Sequence, residues 1–322
     1  MAGQLADHGR VISFLLSGLK ENSAVRYRSA IADFNNELEV RGLDPEAIPD
    51  EEMDWLLAEQ IVEWYDASDE TALGLSRGAF LIAAYSKHRP QARFRVAWKA
   101  LDVWRVRVPA KQAPAFSANM AFACSVISVM VFKQREVAVG IILCFCGLLR
   151  ASEMLNLRGK DLVDCGDSFV VLIAVAKRGL EQKVLISHPR VIAFLRHYLK
   201  WRQAGDEDIV VPITYGRFQR WLGKAVRLLG LPGHWTSHGL RRGGATELLR
   251  CGISLGQIAL IGRWLSERSM REYLRRGEVC LLRFRKDVDD SIWDSIDRIA
   301  SIGEQVWTVD CDALAAQLGL VA

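Results

Sequence analysis

Residues 236–273 bring together side-chain types that suit chemistry on a phosphodiester. His238 and Arg241 are three positions apart on one face of a predicted helix, and Trp264 and Tyr273 follow them. Cations neutralise phosphate oxygens, and a tyrosine hydroxyl can attack phosphorus when a neighbour accepts its proton. The segment therefore indicates strand exchange in DNA rather than metabolism.

Three polar features upstream extend this set. Arg150 ends the apolar run in GLLRASEML, and Glu153 lies three residues later on the same helical face. Lys177 lies at the turn of a predicted hairpin, from which a long ammonium side chain could reach a bound DNA backbone. Arg178 and Lys183 on the same hairpin remain alternatives to Lys177.

The order and spacing of these residues resemble those of the tyrosine recombinases, the family of phage integrases and Cre-like enzymes. The resemblance rests on GLLRASEML, HGLR, GRW and a tyrosine nine positions after the tryptophan. Most members have a histidine where this chain has Trp264, and tryptophan there is typical of the Cre-like variant. The resemblance is most specific over residues 115–280. The catalytic set that it implies is Arg150, Lys177, His238, Arg241, Trp264 and Tyr273.

The chemistry gives the central residues distinct roles. Arg150 and Arg241 would neutralise the non-bridging oxygens as charge builds in a pentavalent transition state, because a guanidinium stays charged and donates paired hydrogen bonds. Tyr273 would be the nucleophile and form a covalent phosphotyrosine. His238 is the natural base for its proton.

The resemblance implies the remaining roles. Lys177 would protonate the leaving 5′ oxygen, Trp264 would donate its indole N–H to the phosphate, and Glu153 would orient Arg150 and His238. Because the phosphotyrosine conserves the phosphodiester energy, a second DNA hydroxyl resolves it without ATP. The sequence shows neither a metal-ligand cluster nor a phosphate-binding glycine loop, so we expect no cofactor.

Each residue alone also has a structural interpretation. Arg150 could be a surface or capping arginine, His238 part of a capped helix start, Trp264 a core residue and Tyr273 a half-buried tyrosine. The order and spacing of the whole set favour catalysis. We therefore predict a site-specific DNA recombinase or integrase from a mobile element. The alternative is a domesticated, non-catalytic DNA-binding protein with the same fold, and a type IB topoisomerase is disfavoured by Trp264 and the small two-domain layout.

Apolar periodicity predicts the elements that position these residues. Helical patterns fill the chain before residue 105, and VPAKQAPAF predicts a linker. Two apolar helices then precede an alternating hairpin at 167–187, and further helices follow it. The predicted fold is mainly α with a small antiparallel sheet. Its domains are a helical, SAM-like core-binding domain at 1–108, a linker at 109–116 and an α+β catalytic domain with a C-terminal helical tail at 117–322.

The charge distribution indicates where DNA could bind. The net charge of +4 is weak evidence by itself, but acidic side chains crowd residues 37–70 and basic ones residues 77–111. The basic strip could follow a phosphate backbone, or it could be a solvated helix face. The candidate DNA-binding residues are Lys87, Arg89, Arg93, Arg95, Lys99 and Arg242.

Composition sets the wider limits. Half of the 322 residues are hydrophobic, which predicts a globular protein, and no apolar run is long enough to span a membrane. The seven cysteines show no paired spacing, so we expect reduced, mostly buried thiols in an intracellular protein of the cytoplasm, nucleoid or nucleus. We expect it to bind double-stranded DNA as a homotetramer and to be a monomer or weak oligomer when free. Residues 288–307 predict an amphipathic helix that docks on a neighbouring protomer or packs on its own domain.

Overall fold

The structure is a computed structural model, and it describes residues 10, 14, 21–67, 73–108, 114–173, 182–264, 266, 270–271, 274, 285–286 and 288–303. The chain divides into two compact units, Met1–Gln112 and Ala113–Ala322. Most of the described residues are helical, and one small antiparallel sheet lies in the second unit. The prediction of a mainly α fold with a small antiparallel sheet is confirmed. The assignment of the units to DNA binding and catalysis stays a prediction.

Four helices form the described part of the first unit, and each follows an apolar pattern in the sequence. Their inner faces share one core, in which Phe34, Leu57, Tyr85 and Trp104 are each at most 3% exposed. The helices are α1 Glu21–Val40, α2 Asp50–Asp66, α3 Leu73–His88 and α4 Arg95–Arg107.

A buried carboxylate fixes the start of α4. Asp54 on α2 is 6% exposed, and its two oxygens accept hydrogen bonds of 2.9 Å from the N–H groups of Val96 and Ala97. The first N–H groups of a helix have no partner inside that helix, so Asp54 satisfies two of them. Asp54 therefore ties α2 to the first turn of α4.

The second unit is built around two apolar helices, α5 (Ala118–Met130) and α6 (Arg135–Cys146), which pack on each other. Most of their side chains are buried, because neither helix has a polar stripe to face water. A short helix and a 3-10 turn lead to the sheet, and five helices whose full extent the structure describes follow it. These elements are α7 Ala151–Met154, the 3-10 turn Gly159–Asp161, α8 Pro189–Arg202, α9 Tyr215–Leu228, α10 Ser237–Arg250, α11 Leu255–Gly262 and α12 Asp290–Ser301.

The sheet has the strand order β1 (Leu162–Asp164), β2 (Phe169–Ile173) and β3 (Gln182–Ile186), and both pairings are antiparallel. Strands β2 and β3 confirm the hairpin that the alternating pattern predicts, with Phe169 opposite Ile186. A third strand, β1, pairs with β2 outside the predicted hairpin. Strand β1 is three residues long, which is too short to show an alternation in the sequence.

Helix α12 packs against its own unit. Ile296 and Ala300 belong to the main core, and the Asn119 amide on α5 donates a hydrogen bond of 2.8 Å to Asp297. Of the two alternatives for the predicted C-terminal helix, packing on its own domain therefore holds for the described residues 288–303.

Five of the cysteines lie in the described part of the chain, and all five are free thiols. Cys124 and Cys144 are buried and Cys146 is half-buried, but Cys165 and Cys251 are exposed. These two thiols depart from the expected burial, because they follow the ends of β1 and α10 rather than lying on an inner face. Among the helices described, none combines the length and apolarity that crossing a membrane requires.

Candidate active site

Glycines let helix α10 approach the backbone of neighbouring segments. A Cβ added at Gly243 would overlap the carbonyl oxygen of Phe116, and one added at Gly244 would overlap that of Phe145 near the end of α6. Only glycine permits such an approach without displacing one of the two backbones. The HGLRRGG segment therefore sets α10 deep against α6, where its arginines reach the turn between α6 and α7.

Arg241 extends from α10 into this contact and is 3% exposed. Its Nη1 donates a hydrogen bond of 2.5 Å to the Leu148 carbonyl, and its Nη2 donates to the Gly262 carbonyl. The guanidinium carbon lies 4.6 Å from the centroid of the Trp264 ring, within the range of a cation–π contact. Two carbonyls and an indole thus hold this charge in one orientation.

Glu153 holds Arg150 in the same region. Its carboxylate accepts hydrogen bonds from the Arg150 backbone N–H at 2.8 Å and from the Arg150 Nη1 at 2.5 Å, and the Arg241 Nη1 lies 3.9 Å away. Burial favours a raised pKa for Glu153, but the Arg150 hydrogen bonds and the charges of Arg263 and Arg150 outweigh it and lower the pKa. The carboxylate is therefore ionised at neutral pH.

A third arginine, Arg263, binds the same carboxylate. Its Nη2 donates to Glu153 at 2.5 Å and to the Leu148 carbonyl at 3.1 Å, while its Nη1 donates to the Ile261 carbonyl at 3.2 Å. Arg263 is 8% exposed, and its φ of +57° lies in the left-handed region that favours glycine. It ends α11 directly before Trp264, so its contacts hold that turn against α7.

An open pocket of about 450 Å³ lies beside these groups. Its wall includes Arg150, Ser152, Tyr215, His238 and Arg241. Two guanidinium groups and an imidazole therefore face one space, which suits an anion such as a phosphodiester. Within the described ranges, no three His, Cys, Asp or Glu side chains come together in a way that could hold a metal ion.

His238 is an exposed residue of the pocket wall, at the second position of α10. Partial loss of water lowers its pKa first, and the positive charges of Arg242, Arg241 and Arg150 lower the pKa further. The ordinary value for histidine is about 6.5, so the His238 imidazole is neutral at pH 7. A neutral imidazole is able to accept a proton.

Tyr215 reaches the pocket from the first position of α9. The Gln219 Nε2 donates a hydrogen bond of 2.9 Å to the Tyr215 hydroxyl, and the Gln219 Oε1 accepts one of 3.1 Å from the Ser237 N–H. Gln219 therefore ties Tyr215 to the first turn of α10, next to His238.

The structure places most of the predicted site in one region. It brings four members of the catalytic set and their supporting residue together: Arg150, His238, Arg241, Trp264 and Glu153. Lys177 and Tyr273, together with the alternative Arg178, lie outside the described residues, whereas Lys183 is exposed on β3. The catalytic roles of all these residues stay predictions.

The candidate DNA-binding residues differ in their surroundings. Arg89 donates to the carbonyls of Ile48 at 2.7 Å and Pro45 at 2.6 Å and pairs with Asp50 at 3.0 Å, so it anchors the loop before α2. Arg242 is 6% exposed, so little of its side chain is accessible. The exposed candidates are Lys87, Arg93, Arg95 and Lys99.

Sequence reasoning missed two residues of this region, Arg263 and Tyr215. Arg263 had a signal, because an arginine interrupts an apolar helix pattern directly before Trp264. Tyr215 follows Thr214, whose hydroxyl caps α9 by accepting from the Arg217 N–H at 3.2 Å. That cap was readable, but nothing in the local pattern shows that this helix start faces the pocket.

Comparisons with known proteins identify the fold. The transposon Tn1549 integrase in complex with transposon right end DNA matches with a TM-score of 0.60 and 15% identity over 86% of this chain and 98% of that chain. The XerH recombinase bound to its palindromic difH substrate matches with a TM-score of 0.59 and 16% identity over 84% and 80% of the two chains. A lambda integrase tetramer bound to a Holliday junction matches with a TM-score of 0.57 and 15% identity over 82% of this chain and 75% of that chain.

At such identities these structures share the fold with this chain. Comparison with curated proteins gave no match. Residues 124–278 match the model of the phage integrase family, and this range contains the residues of the pocket wall together with Arg263 and Trp264. Residues 124–278 therefore form a domain of the phage integrase family, and the fold is that of the recombinases named above.

Proposed function

We propose that the chain is a site-specific DNA recombinase that breaks and rejoins DNA through a covalent 3′-phosphotyrosine. The observation that carries the proposal is the pocket in which Arg150, His238 and Arg241 face one space within a phage integrase domain. Its two guanidinium groups match the two non-bridging oxygens of a phosphodiester in charge and in hydrogen-bonding capacity.

Arg150 and Arg241 bind the scissile phosphate. Arg241 is held by two backbone carbonyls and by Trp264, so it needs no reorganisation as negative charge grows on the oxygens. Arg150 is fixed through Glu153. Loss of one such donor typically raises the barrier by about 3–4 kcal/mol.

Tyr273 supplies the nucleophile in this proposal. Its phenolic oxygen forms a bond to phosphorus while the bond from phosphorus to the 5′ oxygen breaks, and His238 accepts the phenolic proton. The neutral state of His238 at pH 7 supports this role. Lys177 donates the proton that the departing 5′ oxygen takes up.

A second 5′ hydroxyl then attacks the phosphotyrosine and releases Tyr273. One phosphodiester replaces another at each stage, so the exchange needs no external energy source. Trp264 packs on Arg241 and, in the Cre-like manner, donates its indole N–H to the phosphate.

The substrate in this proposal is double-stranded DNA, bound by a homotetramer, with a mobile element as the source of the recombining sites. Two of the similar structures hold DNA sites of their own, and a third is a tetramer on a Holliday junction. The exposed basic residues of α3 and α4 supply phosphate contacts. For such a protein we expect the cytoplasm or nucleoid in a prokaryote and the nucleus in a eukaryote.

A covalent capture experiment tests the proposal and needs no defined target sequence. The protein is incubated with a pool of nicked duplexes that carry a randomised segment, and DNA that stays attached in denaturing detergent is recovered and sequenced. A nick beside the cleaved bond lets the short strand leave, so the adduct accumulates. We expect wild type to enrich related sequences and Tyr273→Phe to capture nothing.

Capture by Tyr273→Phe would show that another residue is the nucleophile, and no capture by wild type on any pool would favour the non-catalytic DNA-binding protein. Arg241→Ala separates the binding and cleavage roles. We expect this variant to retain much of its affinity for the selected duplex and to lose cleavage. Equal loss of both would indicate that the pocket is only a phosphate-binding surface.

A further inference from the structure

Three arginines surround one buried carboxylate, and the proposed chemistry uses only two of them. Arg150 and Arg241 line the pocket, whereas Arg263 does not. Arg263 nevertheless makes a shorter contact with Glu153 than Arg241 does, 2.5 Å against 3.9 Å. The position of Arg263 behind the pocket needs an explanation of its own.

We propose that Arg263 is a positioning residue of the cleavage site. It keeps the Glu153 carboxylate ionised and fixed in place, and Glu153 in turn fixes Arg150 against the scissile phosphate. The effect of Arg263 on cleavage rests on the proposed function. Its effect on the Glu153 carboxylate concerns contacts within this chain and does not.

The backbone conformation of Arg263 is one that favours glycine. A residue with a side chain is disfavoured at φ +57°, where glycine is not. Gln203 has nearly the same conformation, with φ +50° at the end of α8, but its side chain is exposed. A buried arginine in such a conformation persists when surrounding contacts determine its position. Those contacts are the Glu153 carboxylate and two backbone carbonyls.

The shared acceptors couple Arg263 to both substrate-binding arginines. The Leu148 carbonyl accepts from Arg241 at 2.5 Å and from Arg263 at 3.1 Å. The Glu153 carboxylate accepts from Arg150 and Arg263 through different oxygens, Oε1 and Oε2. Removal of Arg263 therefore leaves Oε2 with the Arg150 backbone N–H as its hydrogen-bond donor, and the carboxylate loses its contact with the end of α11.

The charge balance leads to the same conclusion. The positive charge of Arg263 is one of the influences that lower the pKa of Glu153. Without it, burial has a larger share in setting that pKa, and the carboxylate becomes easier to protonate. A protonated Glu153 binds Arg150 less strongly, because its hydrogen bonds lose their charge assistance.

Three variants isolate the side chain of Arg263. Arg263→Gly removes the guanidinium and also relieves the left-handed backbone. Gln203→Gly relieves the same conformation at an exposed position and is the matched control for that effect. Arg263→Lys restores the charge, but a single ammonium cannot contact Glu153 and both carbonyls as a planar fork does.

The first readout is the titration of the Glu153 carboxyl, followed by carbon-detected NMR in the free protein. We expect Arg263→Gly to raise the midpoint, Arg263→Lys to restore it in part, and Gln203→Gly to leave it unchanged. A purely structural role for Arg263 would affect stability without moving this titration. An unchanged midpoint in folded Arg263→Gly would overturn the proposal.

The second readout is single-turnover cleavage of a duplex selected by covalent capture with wild type. We expect Arg263→Gly to slow cleavage at saturating DNA about 10- to 100-fold, the range known for residues that orient metal ligands. The DNA concentration at half-saturation should change little, because Arg263 does not line the pocket. Gln203→Gly should cleave as wild type does.

The two readouts keep this inference separate from the proposed function. If wild type captures no DNA, the proposed function fails, and the titration of Glu153 still decides whether Arg263 governs the carboxylate. If wild type cleaves and Arg263→Gly cleaves equally fast with the same pH dependence, the positioning role is wrong while the recombinase proposal stands.

Discussion

Replacing Gly243 with alanine tests how the site is assembled. In ideal geometry the new Cβ lies 2.8 Å from the carbonyl carbon of Phe116 and 2.9 Å from its amide nitrogen, and it is closer still to the carbonyl oxygen. Carbon atoms pack best at about 3.5–4.0 Å, and the oxygen contact is the tighter one, so α10 must move away by about 1 Å or more. The obstructing atoms belong to the backbone and cannot rotate aside as a side chain would.

The expected cost combines two opposing effects. Overpacking of a well-packed interior typically costs about 1–3 kcal/mol, and the better helix propensity of alanine returns about 0.5–1 kcal/mol. We therefore expect Gly243→Ala to lower the free energy of unfolding by up to about 2.5 kcal/mol. Gly223→Ala in α9 is the matched control, because its Cβ meets nothing closer than the Arg227 Nη1 at 3.6 Å. We expect that control to gain about 0.5–1 kcal/mol.

Urea denaturation of both variants measures these changes, and single-turnover cleavage measures the effect on the site. Displacement of α10 carries Arg241 away from the Leu148 carbonyl, so Gly243→Ala should cleave more slowly than Gly223→Ala even where both are fully folded. If the two variants were equally stable and equally active, close backbone contact would not be what positions Arg241.

Three further outcomes are expected at the pocket. Tyr215→Phe should weaken DNA binding a few-fold and change the cleavage rate little, because the Tyr215 hydroxyl can contact a phosphate but takes no part in bond formation at phosphorus. Fluorescence anisotropy measures the binding, and single-turnover kinetics measure the cleavage rate. Trp264→Phe should keep most of the cation–π contact with Arg241, whereas Trp264→Ala should lose about 0.5–2 kcal/mol of support, measured as a difference in unfolding free energy; equal losses would refute the role of the ring face. The cleavage rate should increase with pH as His238 loses its proton, with a midpoint below 6.5. Arg242→Gln removes a positive charge near His238 and should therefore raise that midpoint. An unchanged midpoint would exclude His238 as the base.

Three residues of the pocket wall, Arg150, His238 and Arg241, could be predicted from the sequence because their types and spacing carry the chemistry. HGLR on a predicted helix places His238 and Arg241 on one face by helical geometry alone. The link to Arg150 is not local, since it depends on how α6, α7 and α10 meet. The inference that Arg150 lies near His238 and Arg241 came from resemblance to a family, because sequence spacing alone does not predict it.

Other features of the site have no signal at the level of local pattern. The contact of Arg263 with Glu153 spans more than a hundred residues and depends on a left-handed turn at a residue other than glycine. Strand β1 has too few residues for alternation to identify it. The anchoring of Arg89 by backbone carbonyls was equally invisible, because a basic residue in a basic stretch resembles one that binds phosphate.

The carboxylate of Asp54 restricts how the basic strip of the first unit can meet DNA. A helix start with open N–H groups is a natural site for a phosphate, and α4 begins within that strip. The N–H groups of Val96 and Ala97 already donate to Asp54, which places a negative charge where a phosphate would otherwise sit. In the proposed DNA complex, contacts between α4 and the DNA backbone would therefore come from side chains such as Arg95 and Lys99, whose length lets them follow a range of backbone geometries.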